Sequence, residues 1–78
     1  MKDKFRITIA SLPDRENLVA EIVYDGYQWA EIAQETNEMT VQFYSSKNAA
    51  YWEFTLDEAI EALNRAKERL ISMDHERQ

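Results

Sequence analysis

Chemistry in a short chain has to come from a nucleophile with a base beside it, from soft metal ligands, or from carboxylates held close together. This sequence has one histidine, His75, and no cysteine. A nucleophile–base–orienter triad and a thiolate zinc site are therefore not expected. Its one glycine, Gly26, leaves no loop to cradle a phosphate. Fifteen carboxylates remain, and eleven of them fall between Asp14 and Glu61, against only Arg15 and Lys47. Acids at that density meet by chance, and none follows the spacing of a calcium loop, so no metal or other cofactor is expected. The same segment holds every Trp and Tyr of the chain: Tyr24, Tyr27, Trp29, Tyr44, Tyr51 and Trp52. Aromatics among like charges describe either a surface for a basic partner or a folded core with a solvated outside.

The elements that would carry these side chains follow from periodicity. Phe5, Ile7 and Ile9 alternate with Arg6, Thr8 and Ala10, which predicts a strand over about 4–11. Pro13 and Asp14 end it. Two strand-like runs, about 18–24 and 27–34, flank Asp25-Gly26, the dipeptide that suits a type I′ hairpin. Further strands are expected at about 39–45 and 51–54. Thr55 and Glu58 then match a capping box and open a helix over about 56–73. Its apolar stripe is Leu56, Ala59, Ile60, Leu63, Ala66, Leu70 and Met73. Residues 74–78, including His75, read as a frayed tail. The expectation is one α+β domain over 1–78: a four- to five-stranded, largely antiparallel meander with the helix on one face.

A tight hairpin sets the side chains of the two central strands. Counting back from Tyr24 opposite Tyr27, Ile22 meets Trp29 and Ala20 meets Glu31. One face then carries Leu18, Ala20, Ile22, Tyr24, Tyr27, Trp29, Glu31 and Ala33, and its apolar area directs it to the core. Glu31 is the anomaly of that face. A buried Glu31 would be a candidate acid or base; the plainer reading pairs it with a helix base such as Arg65 or Lys67 at the sheet margin, or inverts the faces. The uncovered face is expected to show Arg6, Thr8, Glu21, Gln28, Gln34, Gln42 and Tyr44, with Tyr51 and Glu53 as further candidates.

The bulk properties narrow the partners. The chain has 78 residues, a formal net charge of −6 and 45% hydrophobic residues, enough apolar material for a core without disulfides. The negative charge opposes binding to a phosphate backbone, so nucleic acid is not an expected partner. No apolar run suits a signal peptide or a membrane span, and a cytoplasmic location is expected.

The runs VAEIVYDGYQWAEIAQE and YWEFTLDEAIEALNRAKERL, read together as a tiny acidic sheet-plus-helix domain, resemble small bacterial immunity proteins of contact-dependent and polymorphic toxin systems. That resemblance implies a non-catalytic inhibitor that masks a basic toxin, such as a nuclease, with carboxylates. After the helix acids and Asp25 are assigned to capping, dipole and turn, the contact candidates are Glu21, Glu35, Glu38, Tyr44, Tyr51 and Glu53. The competing expectation is a structural module that forms a homodimer through its sheet face or edge, with Val19, Val23 and Ile32 in the interface.

Overall fold

A computed structural model of the chain describes residues 4–76. Four strands form one antiparallel sheet in sequence order: β1 (Phe5–Ala10), β2 (Val19–Tyr24), β3 (Tyr27–Ala33) and β4 (Thr40–Phe43). A single helix, α1 (Leu56–Glu76), packs on one face of it, over β1 and β2. The α+β meander expected from the sequence is therefore the fold. The helix runs three residues past the expected end at 73. Residues 77 and 78 and the side chain of His75 lie outside the described part.

Local chemistry explains the ends of the elements. Asp25 and Gly26 both have positive φ, 51° and 88°, as a type I′ turn requires. The capping box at the start of α1 is reciprocal. Thr55 Oγ1 accepts the Glu58 backbone N–H at 3.1 Å, and Glu58 Oε1 accepts the Thr55 backbone N–H at 3.2 Å.

The helix buries a narrower line than its pattern suggests. Ala62, Ala66 and Leu70 are fully buried, with Ala59 and Leu63 packed beside them. Small alanines at i and i+4 let the helix backbone approach the sheet closely. Leu56, Ile60 and Met73, expected in the stripe, are exposed. Because α1 sits over β1 and β2, it leaves the β4 side of the same face open, with Val41 and Phe43 uncovered there.

The expected strand at 51–54 is absent. Its alternating aromatics are used for packing, with no strand ladder. Trp52 Nε1 donates to the Tyr44 carbonyl at 2.8 Å, and the Phe54 ring lies 4.7–5.7 Å from those of Phe5, Tyr24, Trp29 and Trp52. The segment is pinned through its side chains, so it needs no neighbouring strand.

The central hairpin corrects the expected register. Tyr24 opposes Tyr27 and Val23 opposes Gln28, but Ile22 then opposes Ala30, Glu21 opposes Glu31 and Ala20 opposes Ile32. Trp29 is one extra residue in β3, a β-bulge. Trp29, Ala30 and Ile32 all join the core under the helix. The bulge satisfies both demands on β3: the indole reaches the aromatic cluster of Phe5, Phe43 and Phe54, and the alternation beyond it changes phase. Glu31 and Ala33, expected on the core face, are thereby turned to the opposite face.

Candidate binding surface

Glu31 sits in the middle of the face that the helix does not cover, opposite Glu21 on one side and Gln42 on the other. It is nevertheless only 3% exposed. The loop between β1 and β2 folds over it and brings Arg15, whose Nη2 donates to Glu31 Oε2 at 2.9 Å. Tyr44, just past β4, donates its hydroxyl to Oε1 at 3.1 Å. The cation is neither of the helix bases expected from the sequence; it comes from sixteen residues upstream. Burial pushes the Tyr44 phenol above its ordinary value of 10, and the hydrogen bond to Glu31 and its negative charge add to that. A phenol held in its neutral form is a hydrogen-bond donor and a poor nucleophile. Both carboxylate oxygens of Glu31 are thus engaged, and the arrangement locks the loop to the sheet.

A second carboxylate fastens the same loop. Glu35 accepts the backbone N–H groups of Glu16 at 2.9 Å and Asn17 at 3.0 Å, one on each oxygen. Those two donors hold its carboxyl below the ordinary range. Asn17 completes the attachment by donating Nδ2 to the Gln34 carbonyl at 2.9 Å.

The six expected contact residues do not form one patch. Glu35 and Glu38 lie together in the turn after β3. Glu21 and Tyr44 belong to the uncovered face, where Tyr44 also lines a groove of about 480 Å³ with Gln28, Ser45 and Lys47. Tyr51 and Glu53 lie at the hairpin end of the sheet. There they line a cleft of about 120 Å³ with Tyr24, Asp25, Tyr27 and Trp52. Sequence reasoning assigned Asp25 to the turn alone and Tyr24 and Tyr27 to the core, and so missed that cleft. Tyr27 is 41% exposed and Tyr51 70%. Alternation is a poor guide at this end because the path of residues 44–54 decides which aromatics meet.

The remaining roles divide cleanly. Glu35 and Tyr44 are occupied by the fold, whereas the side chains of Glu21, Glu38, Tyr51 and Glu53 have no hydrogen-bond or ion-pair partner within the described chain. Among the described residues, no three His, Asp or Glu side chains are grouped to hold a metal ion. No described helix is long and apolar enough to cross a membrane.

Fold and surface together define a small α+β meander domain with an acidic, aromatic exterior. No protein-family model, curated protein or solved structure matches the chain.

Proposed function

We propose that this chain is a protein-binding module that captures a basic partner, in the manner of the small bacterial immunity proteins that its sequence resembles. The partner implied by that resemblance is a toxin domain, such as a nuclease, whose basic groove would be masked by carboxylates. The observation that carries the reading is the set of side chains the fold leaves unused. Glu21, Glu38, Tyr51 and Glu53 remain unpartnered on a chain of net charge −6. Tyr offers large contact area at small entropic cost, and unpaired acids steer a basic partner into encounter. Glu35 and Tyr44 drop out of the contact set because their polar atoms hold the loop over β2 and β3. The test is association kinetics with a basic domain encoded beside this gene. The on-rate should fall steeply as salt rises; a salt-insensitive on-rate, or no association, refutes the reading.

A second reading is a homodimer through the free edge of the sheet. Val19 and Ile32, expected in such an interface, are buried inside the chain and are unavailable for it. The observation that favours a dimer is β4 itself: its four residues carry no charge and no proline, and all are exposed. Val41 is 44% and Phe43 56% exposed, a row that native edges usually interrupt. Sedimentation of the wild-type chain and of Phe43→Lys decides it. A dimer that Phe43→Lys turns into a monomer supports the edge, and a wild-type monomer at high concentration removes it.

A further inference from the structure

The cleft at the hairpin end joins two features that a basic side chain needs. It is lined by four aromatic residues, Tyr24, Tyr27, Tyr51 and Trp52, and by two acidic ones, Asp25 and Glu53. Part of this lining is set before any ligand arrives. Tyr24 is held against Phe5 and Phe54 at ring distances of 4.8 and 4.7 Å. Trp52 is fixed by its indole bond to the Tyr44 carbonyl. Asp25 is fixed by the turn, and its backbone N–H donates to the Lys4 carbonyl at 3.0 Å. Tyr27 and Tyr51 are exposed, so their rings are open to an occupant.

Neither acid takes part in an ion pair among the described residues. Arg15 forms its ion pair with Glu31, on another part of the molecule. Lys4 and Arg6 line a second cavity that Asp25 shares, and neither forms an ion pair with it. Aromatic faces attract a cation through their quadrupole, and flanking carboxylates add direct attraction and hydrogen-bond acceptors. A planar guanidinium uses both at once, stacking on a ring while its fork of N–H groups reaches a carboxylate; an ammonium cannot stack.

We infer that this cleft is a receptor site for an arginine side chain presented by the partner, with Tyr51 and Trp52 as the stacking surfaces and Asp25 and Glu53 as the acceptors. The inference rests on the reading of the chain as a binder of a basic protein and names where its recognition is concentrated. An isolated apolar peptide or an anionic ligand has no acceptor-matched place here.

The test uses the whole chain and three short capped peptides, identical except for a central arginine, lysine or citrulline. Amide and indole resonances of the isotope-labelled protein are followed by NMR. The arginine peptide should give saturable shifts in the millimolar range at Asp25, Gly26, Glu53 and the Trp52 indole. The lysine peptide should bind several-fold more weakly, and the citrulline peptide, equal in shape but neutral, should leave those resonances unmoved. Tyr51→Ala and Glu53→Gln alter exposed side chains outside the regular elements, so the fold should persist, as urea unfolding verifies; each should weaken the arginine peptide at least about fivefold, or ~1 kcal/mol. Equal binding of the citrulline peptide, or no shift with arginine, overturns the inference. So does full affinity for a basic partner in the Tyr51→Ala, Glu53→Gln double variant, an outcome that would leave the broader binding role standing. Failure of the wild-type chain to bind any basic domain, with the arginine shifts intact, would instead remove the broader role and retain the site.

Discussion

Replacing Arg15 by alanine tests how far the fold depends on the buried charge of Glu31. The substitution leaves Glu31 on a rigid central strand, 3% exposed, with only the Tyr44 hydroxyl for company. Breaking a fully buried pair from one side costs about 3–5 kcal/mol, because the orphaned charge stays desolvated. The Arg15 side chain is 25% exposed, so water already shares part of the interaction and can enter when it is gone. About 2–3 kcal/mol is the expected loss. A domain of 78 residues has roughly 4–12 kcal/mol in total, so the variant folds but with a visibly reduced margin. At about 1 kcal/mol per molar urea, the midpoint should drop by roughly 2–3 M. Glu31→Gln should cost less, about 1 kcal/mol, since Arg15 lies on a loop and can turn into water. The double variant should therefore be more stable than Arg15→Ala alone, an interaction energy of about 1 kcal/mol or more in a double-mutant cycle. If Arg15→Ala loses less than about 0.5 kcal/mol, or if the two changes simply add, the loop is held by something other than this pair.

Three further perturbations probe neighbouring parts of the structure. Tyr44→Phe removes the donor to Glu31 Oε1 and should cost about 1–2 kcal/mol near neutral pH, read from urea midpoints. The wild-type phenol titrates above its ordinary value, so its contribution is complete below pH 10 and is lost as pH rises through the raised value; the variant should lack that part of the alkaline loss. Glu35→Ala should speed hydrogen exchange at the Glu16 and Asn17 amides. In the wild type that protection is present above the ordinary carboxyl value of 4.5 and disappears as pH falls through the lowered one, and a flat acid profile would refute the assignment. Gly26→Ala meets no atom within 4 Å of its new Cβ, so only the backbone at φ +88° resists it. A loss of about 1 kcal/mol by thermal unfolding is expected, and a loss above about 3 would mean the turn has hidden packing.

What was legible in the sequence is what neighbours decide. Asp25-Gly26 and the Thr55–Glu58 box are complete within four residues, and both form as their local chemistry predicts. Phe5, Ile7 and Ile9 place their strand by alternation alone. The phase of β3 was not legible, because the bulge at Trp29 depends on where Phe5, Phe43 and Phe54 leave room for an indole. The partner of Glu31 was equally hidden, since Arg15 reaches it only after a loop has crossed a finished sheet. Trp52 and Phe54 show the converse error: alternation in a short aromatic run reads as a strand, and here the same side chains satisfy themselves by packing without one. Of the contact candidates, Tyr51 and Glu53 were named from sequence, but their meeting with Tyr24, Asp25 and Tyr27 follows from a chain path that no local pattern encodes.

The two rims of the sheet are unequal, and that inequality limits how this chain can aggregate. Lys4 turns its carbonyl inward to Asp25, so alternation turns that of Ile7 outward, where Arg69 Nη1 on the helix takes it at 2.8 Å. The outer rim of β1 thus has a charged side chain on its Ile7 carbonyl, whereas β4 is exposed along all four residues and carries no charge. Head-to-tail polymerisation needs two sticky rims per molecule, because each added copy must offer a fresh one. A molecule with one can pair once, rim to like rim about a two-fold axis, and then has nothing left to extend. The arginine that ties the helix to β1 therefore also occupies the one rim carbonyl that it reaches, so an added strand would meet a charged side chain at β1 and an uncharged row at β4.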